Sequence, residues 1–335
     1  MSPQQGWVRR PVLVLTLAVV ILFLAAGADA SAGDRLPAFK ECVTQCQEDK
    51  CGPERSPMHI PLYRRLLLWD CPAECDYACQ HVVTNHRLTY GAPVVQFYGK
   101  WPFIRALGMQ EPLSVLFSLG NLWAHAQGLR KLRAAIPPSY RLLRWYKLFA
   151  YAGITSWIFS AAFHTRDFRF TEEMDYFAAG GSVLYGFYYT PIRIFRLDRP
   201  THRVRSALKA WTVLCCCLYV AHVAYLKGVK WDYTYNMAAN VVIGVTQNLL
   251  WCWFSARRYM QSKAPWTLLP ILVVSWITLA MSLELFDFPP LWGSLDAHAL
   301  WHFGTIAPAM VWYKFLLMDA LDDLGGSKKL NMLKD

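Results

Sequence analysis

The sequence predicts an all-α membrane protein, a seven-transmembrane helix bundle with a small disulfide-rich N-terminal lumenal domain. Three observations predict it. Of 335 residues 55% are hydrophobic and 17% charged, against roughly 25% charged in soluble domains. Seven apolar stretches after residue 111 approach the roughly 20 residues a bilayer requires, and six cysteines cluster between Cys42 and Cys79. The net charge of +11 would suggest nucleic acid in a soluble chain. Here the basic residues fall in short clusters between apolar runs, as in cytoplasmic loops, which argues against a nucleic-acid partner.

Residues 1–30 read as a signal peptide: Arg9 and Arg10 in a basic start, an apolar run from Val12 to Ala26, then Ala28-Asp29-Ala30 as a small-x-small cleavage signal. The mature N-terminus then faces the lumen. The alternative is an uncleaved first span, since the apolar run is only slightly short for one. Residues 31–111 form a cysteine-rich lumenal domain. Cys42, Cys46, Cys51, Cys71, Cys75 and Cys79 are an even set behind a secretory signal, which reads as a disulfide framework. Spacings of four suggest two short helices pinned side by side, but six cysteines allow fifteen pairings and sequence does not choose. A zinc–thiolate cluster is the alternative, disfavoured in an oxidising lumen. No Asn-x-Ser/Thr sequon occurs, so N-glycosylation is not expected.

The seven spans cover approximately 112–129, 145–164, 175–192, 208–226, 235–254, 265–284 and 297–315, within a catalytic domain of residues 112–318; residues 319–335 are a cytoplasmic tail. The loops after spans one, three and five hold fifteen basic residues, from Arg130 to Lys147, Arg193 to Lys209, and Arg257 to Lys263; the lumenal loops hold four, Arg166, Arg169, Lys227 and Lys230. That asymmetry obeys the positive-inside rule and fixes the predicted orientation. Cys215, Cys216 and Cys217 point three ways around span four, which is packing rather than a metal site.

Histidines stand where the spans should carry leucine. Ser160 and His164 are four apart, as are His298 and His302, so each pair shares a helical face. In this topology His164 ends span two, Asp175 begins span three, and His298 and His302 begin span seven, all at the lumenal level. Ionisable groups inside a membrane are costly and mark function. Three imidazoles with a further position for water is the composition of a catalytic zinc site, and Asp175 supplies a carboxylate to act on that water. Ser160 has a functional reading only because it shares a face with His164; otherwise it is an ordinary helix hydroxyl.

Other polar residues take blander readings. His125 and His222 are packing histidines bonded to neighbouring helices. Asp167, Glu172 and Glu173 form a solvated loop. Asp296 caps the last span, with support of a histidine as the alternative. Glu284 and Asp287 sit at the lumenal surface, where one could line the site. There is no H-E-x-x-H, no G-x-S-x-G elbow and no phosphate-cradling glycine loop.

The combination of Ser-x3-His closing one span, an Asp eleven residues on, and His-x3-His opening the last of seven resembles the CREST superfamily of membrane hydrolases, which includes alkaline ceramidases and the progestin and adipoQ receptors. Within it, FHTRDFRFTEEMDYF and DAHALWH, behind a six-cysteine segment beginning KECVTQC, resemble the post-GPI-attachment-to-proteins branch, the factors that remodel fatty acids on GPI anchors. The similarity runs from about residue 36 to residue 318, with no departure at the five site positions. It implies a Golgi membrane enzyme, or an endoplasmic-reticulum one as in fungi, that removes the unsaturated sn-2 chain from the phosphatidylinositol of GPI-anchored proteins. By matching positions it implies zinc on His164, His298 and His302, with Asp175 handling water and Ser160 supporting the site. A ceramidase-like amidase with the same metal, and a non-catalytic seven-span lipid receptor with structural zinc, are the alternatives.

Overall fold

A computed structural model describes residues 32–52, 58–285 and 287–325. The expected signal peptide lies outside the described residues, as does the side chain of Glu284. The described chain is helical, with isolated β-bridges closing tight turns and no strands.

Helices α1 (Pro37–Lys50), α2 (Leu62–Leu66) and α3 (Cys71–Thr89) make the N-terminal region. Asp70 starts α3 by accepting a hydrogen bond from the Ala73 amide at 2.9 Å, which satisfies one of the donors a helix start leaves free. The six cysteines form Cys42–Cys79, Cys46–Cys75 and Cys51–Cys71. Cysteine positions ascend along α1 as they descend along α3, so the bridges form a ladder between antiparallel helices, with one rung per turn where both spacings are four. Phe39, Val83 and Phe97 fill the small core beside it. A framework this short in core needs such staples. Cys215, Cys216, Cys217 and Cys252 are free thiols.

Seven further helical segments pack into a bundle: α4 (Pro112–Ala135), α5 (Leu143–Thr165), α6 (Arg169–Ile194), α7 (His202–Gly228), α8 (Tyr233–Ser262), α9 (Leu269–Met281) and α10 (Ala297–Asp323). Short 3-10 turns, Pro265–Leu268 and Ser282–Leu285, extend α9 at both ends. Most helices outrun the apolar windows that announced them, because hydrogen bonding continues past the first charge where a hydropathy window stops. By length and composition α7 and α8 can cross a membrane, and the stretch Pro265–Met281 is apolar but shorter. Helix α7 leaves Val213, Leu214, Cys216, Cys217 and Val220 exposed, an apolar face of the kind that meets lipid.

Helices α4, α5, α6 and α10 form the tight part of the bundle. A Cβ added to Gly128 would lie 2.2 Å from the Tyr313 ring, and one on Gly153 would lie 2.2 Å from the His125 ring. These glycines therefore set how closely α4 approaches α10 and α5. His125 also bonds the Tyr313 hydroxyl at 2.8 Å through Nδ1, the packing role its sequence position suggested.

At the end away from the site, Arg193 is buried rather than in a loop as expected. Its Nε and Nη2 each donate to Asp319 at 2.6 Å, and the Tyr146 hydroxyl donates to the same carboxylate at 3.2 Å. Arg196 reaches Asp323 and Asp198, and Arg258 reaches Asp322. Part of the basic cluster that sequence assigned to loops thus anchors α10. Asp319→Ala is expected to cost about 3–5 kcal/mol by stranding a buried guanidinium, read as a lower melting temperature of purified protein. Pairing it with Arg193→Met should recover most of the loss; a single variant as stable as wild type would contradict the anchoring role.

Candidate metal centre

The site forms where α5 ends and α10 begins. Helix α10 opens on Asp296, whose side chain accepts from the Ala299 amide at 2.8 Å, as a capping carboxylate should. Burial raises the pKa of Asp296, offset in part by His298 and the Ala299 bond. The cap places His298 in the first turn and His302 one turn on. Helix α5 stops after Thr165 because Arg166 adopts extended backbone, leaving His164 in its last turn. Backbone bonds then draw in the segment before α4: the Gln110 amide donates to the Thr165 carbonyl and the Glu111 amide to the His164 carbonyl, each at 3.0 Å.

The result brings His164, His298 and His302 together, with one nitrogen of each within 4.8 Å of the others. His164 and His302 are buried and His298 half-buried. His298 Nε2 lies 3.4 Å from His164 Nε2. Two imidazoles on a tetrahedral zinc at about 2.0–2.1 Å would have nitrogens roughly 3.3 Å apart, so this edge fits the ion.

Two groups orient these rings. Glu111 takes His164 Nδ1 on one oxygen at 2.8 Å and Lys100 on the other at 2.5 Å. Burial pushes the Glu111 carboxyl up, but Lys100 and His164 outweigh it and hold it well below the ordinary carboxylate range. Ionised Glu111 therefore accepts the Nδ1 proton, which leaves His164 Nε2 as the lone pair facing the cluster. Lys100 also pairs with Asp167 at 3.1 Å and lies 3.9 Å from the Phe163 ring centroid.

Ser118 does the same for His302. Its hydroxyl donates to the Ser114 carbonyl at 2.7 Å, so its lone pairs receive the Ser160 hydroxyl and His302 Nδ1, each at 3.0 Å. His302 then carries its proton on Nδ1 and presents Nε2. Asn121 fixes the backbone by donating to the His302 carbonyl at 2.7 Å, and Trp157 meets the ring edge-on. Ser160 thus bonds Ser118, one step behind the imidazole. Asp175 lies half-buried in the second turn of α6.

Sequence reasoning missed Glu111, Lys100, Ser118 and Asn121. Ser118 and Asn121 carried a signal, two polar residues at helical spacing in an apolar span; Glu111 and Lys100 carried none, since the fold alone brings them to His164. One reading needs correction. Asp167, Glu172 and Glu173 are not a solvated loop: Asp167 pairs with Lys100, Glu172 accepts from the Trp231 indole at 3.0 Å, and buried Glu173 holds Arg169 and Lys227, each at 2.7 Å. Asp287 accepts from Gln96 and the Trp101 indole, each at 2.9 Å, tying the end of α9 to the N-terminal region.

The Per1-like family profile matches residues 61–320, which includes every group just described. Protein PER1 homolog of Schizosaccharomyces pombe is 40% identical over 298 residues, spanning 88% of this chain and 89% of its own. A GPI-specific phospholipase A2-like PGAP3 of Homo sapiens is 36% identical over 306 residues, 90% of this chain and 93% of that protein. Protein PER1 of Saccharomyces cerevisiae is 36% identical over 352 residues, 91% and 97% respectively. No solved structure matches the chain. A match that begins before the first bundle helix and ends inside the last, with relatives similar over nearly their whole lengths, assigns this chain to the Per1-like family.

Proposed function

We propose that the protein is a zinc-dependent acyl-ester hydrolase that removes the sn-2 fatty acid from the phosphatidylinositol of GPI-anchored proteins. The observation that carries this reading is the convergence of His164, His298 and His302, two of them with tautomers set by Glu111 and Ser118. Relatives named GPI-specific phospholipase A2-like supply the substrate class. Zinc bound by the three imidazoles would polarise the ester carbonyl and acidify water.

The protein's own groups do the rest. Asp175, half-buried in the second turn of α6, takes the proton of the attacking water and returns it to the leaving alkoxide. Glu111 and Ser118 keep two ring protons away from the ester. A cavity of about 150 Å³ beside Asn121, lined by Trp157, Trp251, Val273, Ile277 and Pro308 together with Gln247 and Asn248, has room for a short stretch of an acyl chain.

In this reading all seven bundle helices cross the Golgi membrane, or that of the endoplasmic reticulum. Residues 31–111 are lumenal, the bundle from residue 112 to the end of α10 at Asp323 forms the catalytic domain, and the expected cytoplasmic tail beyond it lies mostly outside the described residues. Ester carbonyls of a diacyl lipid lie just beneath the headgroups, level with the lumenal helix ends. An epitope after Asp335 should be digested by protease added to sealed microsomes; its protection would reverse the orientation.

Mass spectrometry of GPI-anchor lipids tests the function. Cells lacking the protein should retain unsaturated sn-2 chains, and re-expression should remove them. An unchanged lipid profile would sink the reading, and hydrolysis of N-acyl sphingoids instead would favour the ceramidase-like alternative.

A further inference from the structure

A second polar cleft lies beside the metal centre and shares Lys100 and Asp167 with the groups that orient His164. It encloses about 380 Å³ between α3, the turns of residues 97–110 and the α5–α6 connection, a volume in the range of small-ligand sites. Its floor is Trp69, fixed by an indole N–H that donates to the Gly108 carbonyl at 2.8 Å. The guanidinium carbons of Arg105 and Arg166 lie 3.2 and 3.7 Å from the centroid of that ring. Two cations so close to one ring centroid must take its opposite faces.

The two arginines are not equivalent. Arg105 is buried and donates to Glu74 at 3.1 Å, in an ion pair, although its Nε, like that of Arg166, is buried without a partner. Arg166 has no carboxylate within 4.0 Å among the described residues, while Asp70, Asp167, Glu74 and Asp76 attract it from farther off. It spends Nη1 on the carbonyl oxygen of its neighbour Asp167 at 2.9 Å and keeps a buried Nε without any partner. An arginine stacked on an aromatic plane, with a fork not matched to a carboxylate, is built to take an oxyanion. Around it the cleft offers the Tyr98 hydroxyl, bonded to Asp76 at 3.2 Å, together with Gln80 and Trp101. With both faces of Trp69 taken, the rings of Tyr98 and Trp101 and the polar groups of Gln80, Asp76 and Asp167 are what the cleft presents to a ring of hydroxyls.

We infer that Arg166 binds the phosphodiester of the substrate lipid and that the Trp69 cleft holds the phosphorylated polyol attached to it. Arg166 follows His164 by two residues, and in a glycerophospholipid the phosphate and the sn-2 ester hang from adjacent glycerol carbons. A phosphate held at Arg166 therefore delivers the sn-2 carbonyl, rather than a more distant ester, to the imidazole cluster. The identity of the lipid rests on the hydrolase reading; binding in the cleft does not.

The test measures binding of glycerophosphoinositol, inorganic phosphate and myo-inositol to full-length protein in nanodiscs, for wild type, His298→Ala, Arg166→Gln and Arg166→Lys. Glycerophosphoinositol should bind wild type and His298→Ala alike, and both free phosphate and myo-inositol should bind at least tenfold more weakly. Arg166→Gln should lose roughly 10- to 100-fold in affinity, the worth of a charged hydrogen bond. Arg166→Lys keeps the charge and guards against a folding defect; losing the planar fork, it should still weaken binding and raise KM with little change in kcat. Equal binding of phosphate and glycerophosphoinositol would reduce the cleft to an anion site and overturn the polyol assignment. Hydrolysis with unchanged probe affinity and KM in both Arg166 variants would overturn the cleft while leaving the hydrolase intact. Binding lost in Arg166→Gln but no hydrolysis by wild type would do the reverse.

Discussion

His298→Ala is expected to abolish remodelling of GPI-anchor lipids in null cells at matched expression, and to lower the zinc content of the purified protein. Two imidazoles hold zinc far more weakly than three, and the loss removes the edge of the cluster where His298 stands 3.4 Å from His164. His164→Ala and His302→Ala should behave alike, because the proposed ion would be shared by three imidazoles on two helices. Glu111→Gln gives a graded version of the same effect. The amide weakens the grip on His164 Nδ1 and leaves Lys100 with Asp167 as its remaining carboxylate partner, so metal affinity should fall by roughly 10- to 100-fold. Full remodelling by His298→Ala would overturn the catalytic-zinc reading and bring a receptor-like role with structural metal to the front.

The clustering of three histidines was legible in the sequence because its signal is local. Histidine at a spacing of four in an apolar helix is costly to bury and easy to see, and His298 and His302 share a helix face whatever the rest of the chain does. The groups that set the ring tautomers were not legible. Glu111 stands 53 residues from the histidine it contacts, and Ser118 stands 184 from His302, so only tertiary packing joins them. Disulfide pairing was hidden for a related reason: spacing announces two cysteine-bearing helices, while the antiparallel order that makes Cys42–Cys79 and Cys46–Cys75 successive rungs belongs to their packing. Arg193 misled in the opposite direction. Charge at a helix end reads as loop, but Asp319 on a helix more than a hundred residues away takes both of its donating nitrogens.

Asp175→Asn is expected to retain zinc and lose turnover, by roughly 10²- to 10⁴-fold if Asp175 moves the proton of the attacking water. An amide keeps the size and one hydrogen-bond acceptor of the carboxylate but cannot take that proton. The comparison with Ser160→Ala separates the chemistry from its support. Ser160 reaches the cluster only through Ser118, whose hydroxyl bonds His302 Nδ1 at 3.0 Å. Removing it leaves Ser118 still able to donate to the Ser114 carbonyl and accept from the ring, so the loss should stay within roughly 10- to 100-fold and fall on metal affinity. The two variants therefore separate on two axes: Asp175→Asn lowers kcat at full metal occupancy, whereas Ser160→Ala is largely rescued by added zinc. The measurement is zinc content and single-turnover rate on the same purified samples. If Asp175→Asn loses zinc in proportion to activity, Asp175 is a fourth ligand rather than the base, and the proton must pass to another group.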